Sequence, residues 1–165
     1  MTWATERLDA LKAGMGTPPP IVETLQLGLL DDWGDGWVRK NWSPSPKLAT
    51  SDGSLFGGYL AALADQVLTF AAMTVTPDDR LFRTTNLQLN FLRVGRSHPL
   101  TIEARVVAAT KQMITVRAEF RRDNGELIAE ATAQQLLMSF DRWPDERRAK
   151  EEGQNEKPDS AHGRM

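Results

Sequence analysis

The sequence predicts an α+β domain in which a strand and one long apolar helix precede four antiparallel strands. Two observations carry this. From Gly57 to Met73 the bulky apolar residues recur at helical period. After Pro77 the period switches to two and holds to Met138. Short connections between the later strands make antiparallel pairing the default. At 165 residues the chain fits one domain, a size that buries roughly 70% of the unfolded surface.

Taken in order, Thr5 to Ala13 can form a short amphipathic helix, stopped by Gly14, Gly16 and Pro18-Pro19-Pro20. Ile21 to Leu30 is apolar and fits either helix or strand. Trp37-Val38-Arg39-Lys40-Asn41-Trp42 alternates as a first strand, and Pro44 and Pro46 open a loop that runs through Ser51-Asp52-Gly53-Ser54. In the central helix, Leu60, Leu63, Val67 and Phe70 form a bulky stripe suited to packing on a sheet. Ala61, Ala62, Asp65, Thr69 and Ala72 form a face of mostly small residues, open to close approach by a backbone or a ligand. The strands follow: Leu87, Leu89 and Phe91 alternate with polar residues, as do Leu100, Ile102, Ala104 and Val106, and then Ile114, Val116, Ala118 and Phe120. Asp123-Asn124-Gly125 is a hairpin turn, and Leu127 to Met138 is the last strand. The helix is apolar on both faces, so either the sheet wraps around it or a second subunit covers the remainder. Thirteen of the last 25 residues are charged, which marks 141–165 as a solvated tail with room for a short helix at Asp145 to Glu152.

Composition narrows the chemistry. There is no cysteine, which removes disulfides, thiolate nucleophiles and zinc or iron–sulfur sites built on sulfur. His98 and His162 are the only histidines, and neither is placed for a triad or a metal site, so no metal is expected. A net charge of −2 argues against a nucleic-acid footprint. The N-terminus has no basic region followed by an apolar run. The weakly polar stretch from Phe56 to Thr76 carries Asp65 near its middle, at odds with a membrane span. The expected compartment is the cytoplasm.

Asp65 is the one charge in that stretch. A buried carboxylate is costly unless partnered, and desolvation suits such a group to act as base or nucleophile. The same residue could instead cap a neighbouring backbone group or sit in a subunit interface. Gly57 and Gly58 open the helix, and free N–H groups there can hold a developing oxyanion. Glycine could equally serve only to relieve crowding at the helix start. Eight residues separate Gly57 from Asp65, about 12 Å along one helix, too far to grip one reacting atom. Two such helices packed antiparallel would bring Asp65 of one copy toward Gly57 of the other, which predicts a site shared between two copies.

The segment Phe56-Gly57-Gly58-Tyr59-Leu60-Ala61-Ala62-Leu63-Ala64-Asp65 resembles the glycine-pair-to-aspartate helix of hotdog-fold acyl-CoA thioesterases, in the branch of the phenylacetic-acid-pathway enzyme PaaI. Thr84 to Arg93 and Asp123 to Ala133 fit the same pattern, so the resemblance covers roughly Ser51 to Met138. It implies an antiparallel five-stranded sheet wrapped around the central helix, with residues 1–50 supplying the N-terminal helix, loop and first strand, and 51–140 the hotdog core. It implies hydrolysis of acyl-CoA thioesters without a cofactor, by homodimers or dimer-of-dimers tetramers with shared sites. By the same resemblance Asp65 is the catalytic carboxylate, Gly57 polarises the thioester carbonyl with Gly58 beside it, and Thr84 orients the carboxylate or water. Phe56, Arg93, Arg96 and Lys111 stand where relatives bind substrate, the cations toward the coenzyme A phosphates.

Two positions depart from the pattern. Phe56 replaces the family's usual histidine before the glycines, and Thr50 lies near its usual asparagine. These departures motivate an alternative, a non-catalytic acyl-CoA-binding or assembly module of the same fold. A hydratase of this fold would need a histidine beside the acid, and the matched segment has none. Phe56, Tyr59, Phe70 and Phe91 could line an acyl pocket or simply pack the core.

Overall fold

The computed structural model describes residues 1–15 and 17–140; the charged tail and its short helix lie outside the described residues. Helix α1 (Trp3–Lys12) starts two residues earlier than its apolar pattern suggests, because Thr2 and Thr5 form a reciprocal capping box. Its buried stripe is Ala4, Leu8 and Leu11. The ambiguous apolar stretch resolves into a short helix α2 (Pro20–Thr24), begun by a proline at its first position, and an irregular run to Asp31.

Six strands follow, one more than the sequence predicts: β1 (Asp32–Gly34), β2 (Trp37–Trp42), β3 (Arg80–Phe91), β4 (Leu100–Ala109), β5 (Met113–Arg122) and β6 (Leu127–Ser139). The addition, β1, is three residues long and forms a hairpin with β2. All pairs are antiparallel, and the sheet order is β1-β2-β4-β5-β6-β3. The predicted Asp123-Asn124-Gly125 turn joins β5 to β6, with Gly125 at a φ of 83° that a side chain would resist.

This order dictates where the long helix lies. The chain leaves β2 near one edge and returns as β3 at the opposite edge, four strand spacings or about 19 Å away. Helix α3 (Gly57–Met73) makes the crossing; its 17 residues span about 25 Å. It packs against β2, β3, β4, β5 and β6. Its bulky residues Leu60, Leu63, Val67 and Phe70 are all buried in one apolar cluster with Ile102, Ile114, Val116 and Phe120 of the sheet, and Phe70 also borders the N-terminal arm. The small face is partly open: Ala61, Ala62 and Thr69 are half-buried, although Ala72 is fully covered.

Among the described residues two polar side chains of the sheet, Lys40 and Gln135, are buried. In β2, Val38, Lys40 and Trp42 point to the helix side, and Lys40 is 1% exposed. Its Nζ donates to Gln66 Oε1 at 2.6 Å, while Gln66 Nε2 donates to the Gly28 carbonyl. Burial pushes the Lys40 ammonium down to about 8, and nearby Asp31 offsets only part of that. Below pH 8 the folded and unfolded chains both carry the proton, and folding bears the whole desolvation cost. Between about 8 and the ordinary value of 10.5 the unfolded chain alone keeps it, so stability rises with pH in that window. Wild type should therefore gain stability relative to Lys40→Met from pH 8 to pH 10, by up to about 1.4 kcal/mol per pH unit in urea titrations. A difference that stays flat with pH contradicts the assignment.

Candidate active site

The loop before α3 is tied down by Asp52. Its carboxylate accepts from the Ser54 hydroxyl, the Thr50 hydroxyl and the Ser54 N–H, which hold it well below the usual carboxylate range. Strand-like bridges from Ala49 to Leu55 and from Ser54 to Arg96 complete the anchor. Thr50 thus has a structural partner in place of the expected asparagine.

This loop delivers Phe56 as the N-cap of α3, with extended backbone and no side-chain cap. The N–H groups of Gly57 and Gly58 have no acceptor among the described residues, as the first turn of a helix requires. Two aromatic rings flank them. A Cβ on Gly57 would lie 3.0 Å from the Phe91 ring, and one on Gly58 would lie 2.6 Å from the Phe56 ring. Both rings are largely exposed, Phe56 at 63% and Phe91 at 56%.

Two turns further along α3, Asp65 faces the first half of β3. It is exposed on the single chain, where the sequence reading expects a buried carboxylate. The neighbouring small residues Ala62 and Thr69 stay half-buried beside the N-terminal arm, and Asp65 itself is left open in one copy. Thr84 Oγ1 donates to Asp65 Oδ1 at 2.9 Å, the pairing that the sequence reading anticipates.

Sequence reasoning overlooks the third member of this chain of contacts. Gln135 is the cross-strand partner of Thr84 and is fully buried, with its amide 3.0 Å from Thr84 Oγ1. A hydroxyl has one hydrogen, and a carboxylate can only accept. If Thr84 donates to Asp65, it must accept from Gln135, which requires the amide NH2 to face Thr84. With the carbonyl oxygen there instead, the buried Nε2 has no partner. The two amide ends exchange by a simple rotation, and the rotated form gives one directed series, Gln135 to Thr84 to Asp65. The signal was available: β6 buries Ala131, Ala133, Gln135 and Leu137 in alternation, and a polar residue in such a row needs a partner.

The cations do not converge within one chain. Arg93 pairs with Glu126 at 3.0 Å and donates to the Leu127 carbonyl, at the start of β6. Arg96 is exposed beside the loop before α3. Lys111 is exposed in the β4–β5 turn, at the other end of the sheet. His98 is exposed in the loop after β3. Among the described residues no cluster of three or more acidic or histidine side chains could hold a metal ion, and no helix is long and apolar enough to cross a membrane.

The Thioesterase superfamily family model matches residues 52–129, from the Asp52 anchor into β6. A curated protein named as an esterase, from Saccharolobus solfataricus, is 29% identical over 97 residues, which span 58% of this chain and 63% of the relative. A crystal structure from Ralstonia eutropha JMP134, described as a thioesterase and phenylacetic acid degradation-related protein, overlays with a TM-score of 0.70 at 25% identity. The overlay covers 78% of this chain and 98% of that one. A thioesterase protein from Streptococcus pneumoniae, solved with coenzyme A, overlays with a TM-score of 0.61 at 20% identity, over 67% of this chain and 84% of that one. Residues 52–129 thus match the Thioesterase superfamily, and the chain has the hotdog fold of these thioesterase structures.

Proposed function

We propose that the protein hydrolyses acyl-CoA thioesters to a free acid and coenzyme A, with Asp65 as base or nucleophile and the Gly57 N–H polarising the carbonyl. The observation that carries this is the Thr84 donation to Asp65, which holds one carboxylate oxygen and leaves the other for water or substrate. The relative solved with coenzyme A supports the substrate class. Asp65 takes a proton from water as its oxygen adds to the thioester carbon, or adds directly to form an anhydride that water then opens. The oxyanion rests on N–H groups at the start of α3, where the helix dipole favours negative charge. The C–S bond then breaks and releases a thiolate whose acid has a pKa near 8.5, so little acid assistance is needed. The reaction is read as cytoplasmic, a compartment that a cysteine-free chain permits.

The site is shared between two copies. β3 is a 12-residue edge strand with one side unpaired, a surface that folded proteins cover. Pairing β3 with a second copy about a twofold between Leu87 and Gln88 sets residue 84 of one copy opposite residue 91 of the other. Thr84 touches Asp65, and Phe91 lies over Gly57. The carboxylate of one subunit and the helix start of its partner then face each other, and the exposed Phe91, Leu92 and Val94 lie in the seam. The alternative, a binding module without turnover, is favoured by Phe56 at the histidine position.

Asp65→Asn should lower kcat by about 10²–10⁴-fold with acyl-CoA binding retained, in a thiol-release assay with parallel calorimetry. Unchanged turnover in that variant removes the assignment. Gly57→Pro removes the oxyanion N–H: proline suits the first helical position and Phe56 already has the extended backbone that precedes proline, while Gly57→Ala, which keeps the N–H, serves as the control for the contact that an added Cβ makes with the Phe91 ring. Gly57→Pro should cost about 10²–10³ in kcat. Gln135→Leu should lower kcat by about tenfold with little change in KM, because Thr84 loses the donor that sets its hydroxyl. A Gln135→Leu change confined to KM or to stability overturns that positioning role.

A further inference from the structure

A cavity of about 320 Å³ lies between α3 and the N-terminal arm. Leu11, Ile21, Val22, Leu25, Phe70 and Met73 make its apolar walls. Ala62, Gln66 and Thr69 of α3 continue the lining up to Asp65, so the candidate catalytic carboxylate stands at its border. Asp65 therefore faces two ways, toward Thr84 on the β3 side and toward this cavity on the side of α1 and α2. The wall is held in place by side-chain hydrogen bonds. Gln66 is gripped by Lys40 and in turn holds the Gly28 carbonyl, and the Tyr59 hydroxyl donates to the Leu25 carbonyl.

We infer that this cavity receives the acyl group of the thioester, and that its occupant is an uncharged apolar chain of medium length or a single ring. The inference rests on the thioesterase reading of Asp65. The lining suits an acyl chain and not the coenzyme, whose phosphates need several cations. Among the described residues Arg7 is the one cation that lines the cavity, and Asp65 the one acid. The volume sits at the lower end of small-ligand pockets, about 300–1,000 Å³. A two-carbon acyl group would leave most of it empty, and a long fatty chain would overfill it. The walls contributed by Arg7 through Leu29 lie outside the matched residues 52–129. Acyl selectivity is thus carried by a segment added to the shared core.

The test uses two filling substitutions at partly exposed wall positions, Ile21→Trp and Thr69→Leu, assayed on the full chain with octanoyl-CoA and acetyl-CoA. A second arm measures binding of octyl-CoA, a thioether that cannot be hydrolysed, against free coenzyme A by calorimetry. The octanoyl-to-acetyl ratio of kcat/KM should fall at least tenfold in one or both variants, and the octyl-CoA preference over free coenzyme A should fall in step. Turnover of both substrates with neither ratio changed in either variant overturns the cavity assignment and leaves the thioesterase reading standing. Shifted octyl-CoA binding without turnover in wild type supports the cavity and removes the activity. Absence of both turnover and octyl-CoA binding overturns the two together.

Discussion

The placement of α3 governs the rest of the structure. Because β2 and β3 sit toward opposite edges of one sheet, the helix between them must cross the whole face, and every strand from β2 to β3 packs on it. A helix in that position is buried along most of its length and can carry polar side chains only where the sheet edge or the N-terminal arm meets it. Asp65 and Gln66 occupy that narrow allowance side by side. One is tied to the β3 edge through Thr84 and the other to β2 through Lys40. The crossing therefore fixes both the rotation of the helix and the two surroundings of its carboxylate.

Both ties reach polar groups that the sheet buries at a cost. Lys40 has one hydrogen-bond acceptor in an apolar layer, and Gln135 has a partner for one end of its amide. Leucine or methionine at either position would give a drier core. Their retention makes sense if α3 must be held in one register with Asp65 oriented, since a hydrogen bond selects a rotation that packing of small alanines leaves loose. The N-terminal arm gains from the same arrangement, because the Lys40–Gln66–Gly28 series seats it against the helix and keeps a cavity open beside the carboxylate.

Much of this is legible in the sequence, for reasons that are themselves physical. Helical period and strand period are different, so α3 and the four later strands stand out, and Asp65 stands out within α3. Gly57 stands out as one of two glycines that open the helix, and Thr84 comes from the resemblance to a known motif. The three-residue β1 is too short to show a period. The covering of Asp65 is misjudged because periodicity identifies a face but not what lies opposite it; on one chain Asp65 is exposed. Lys40 and Gln135 are missed although each interrupts an alternating buried row, Val38-Lys40-Trp42 and Ala133-Gln135-Leu137. An interrupted row signals a buried partner, and finding that partner needs the strand register.

The most direct test of the account mixes two impaired subunits. Asp65→Asn and Gly57→Pro chains, each nearly inactive alone, are co-refolded so that mixed pairs form. In a shared site one of the two sites of each mixed pair keeps both an intact Asp65 and an intact Gly57. Thiol release should then return to about a quarter of the wild-type rate, because half the pairs are mixed and half their sites are whole. Release that stays at the level of the separate variants, with mixed pairs confirmed by mass spectrometry, would contradict a site built from the carboxylate of one copy and the helix start of the other.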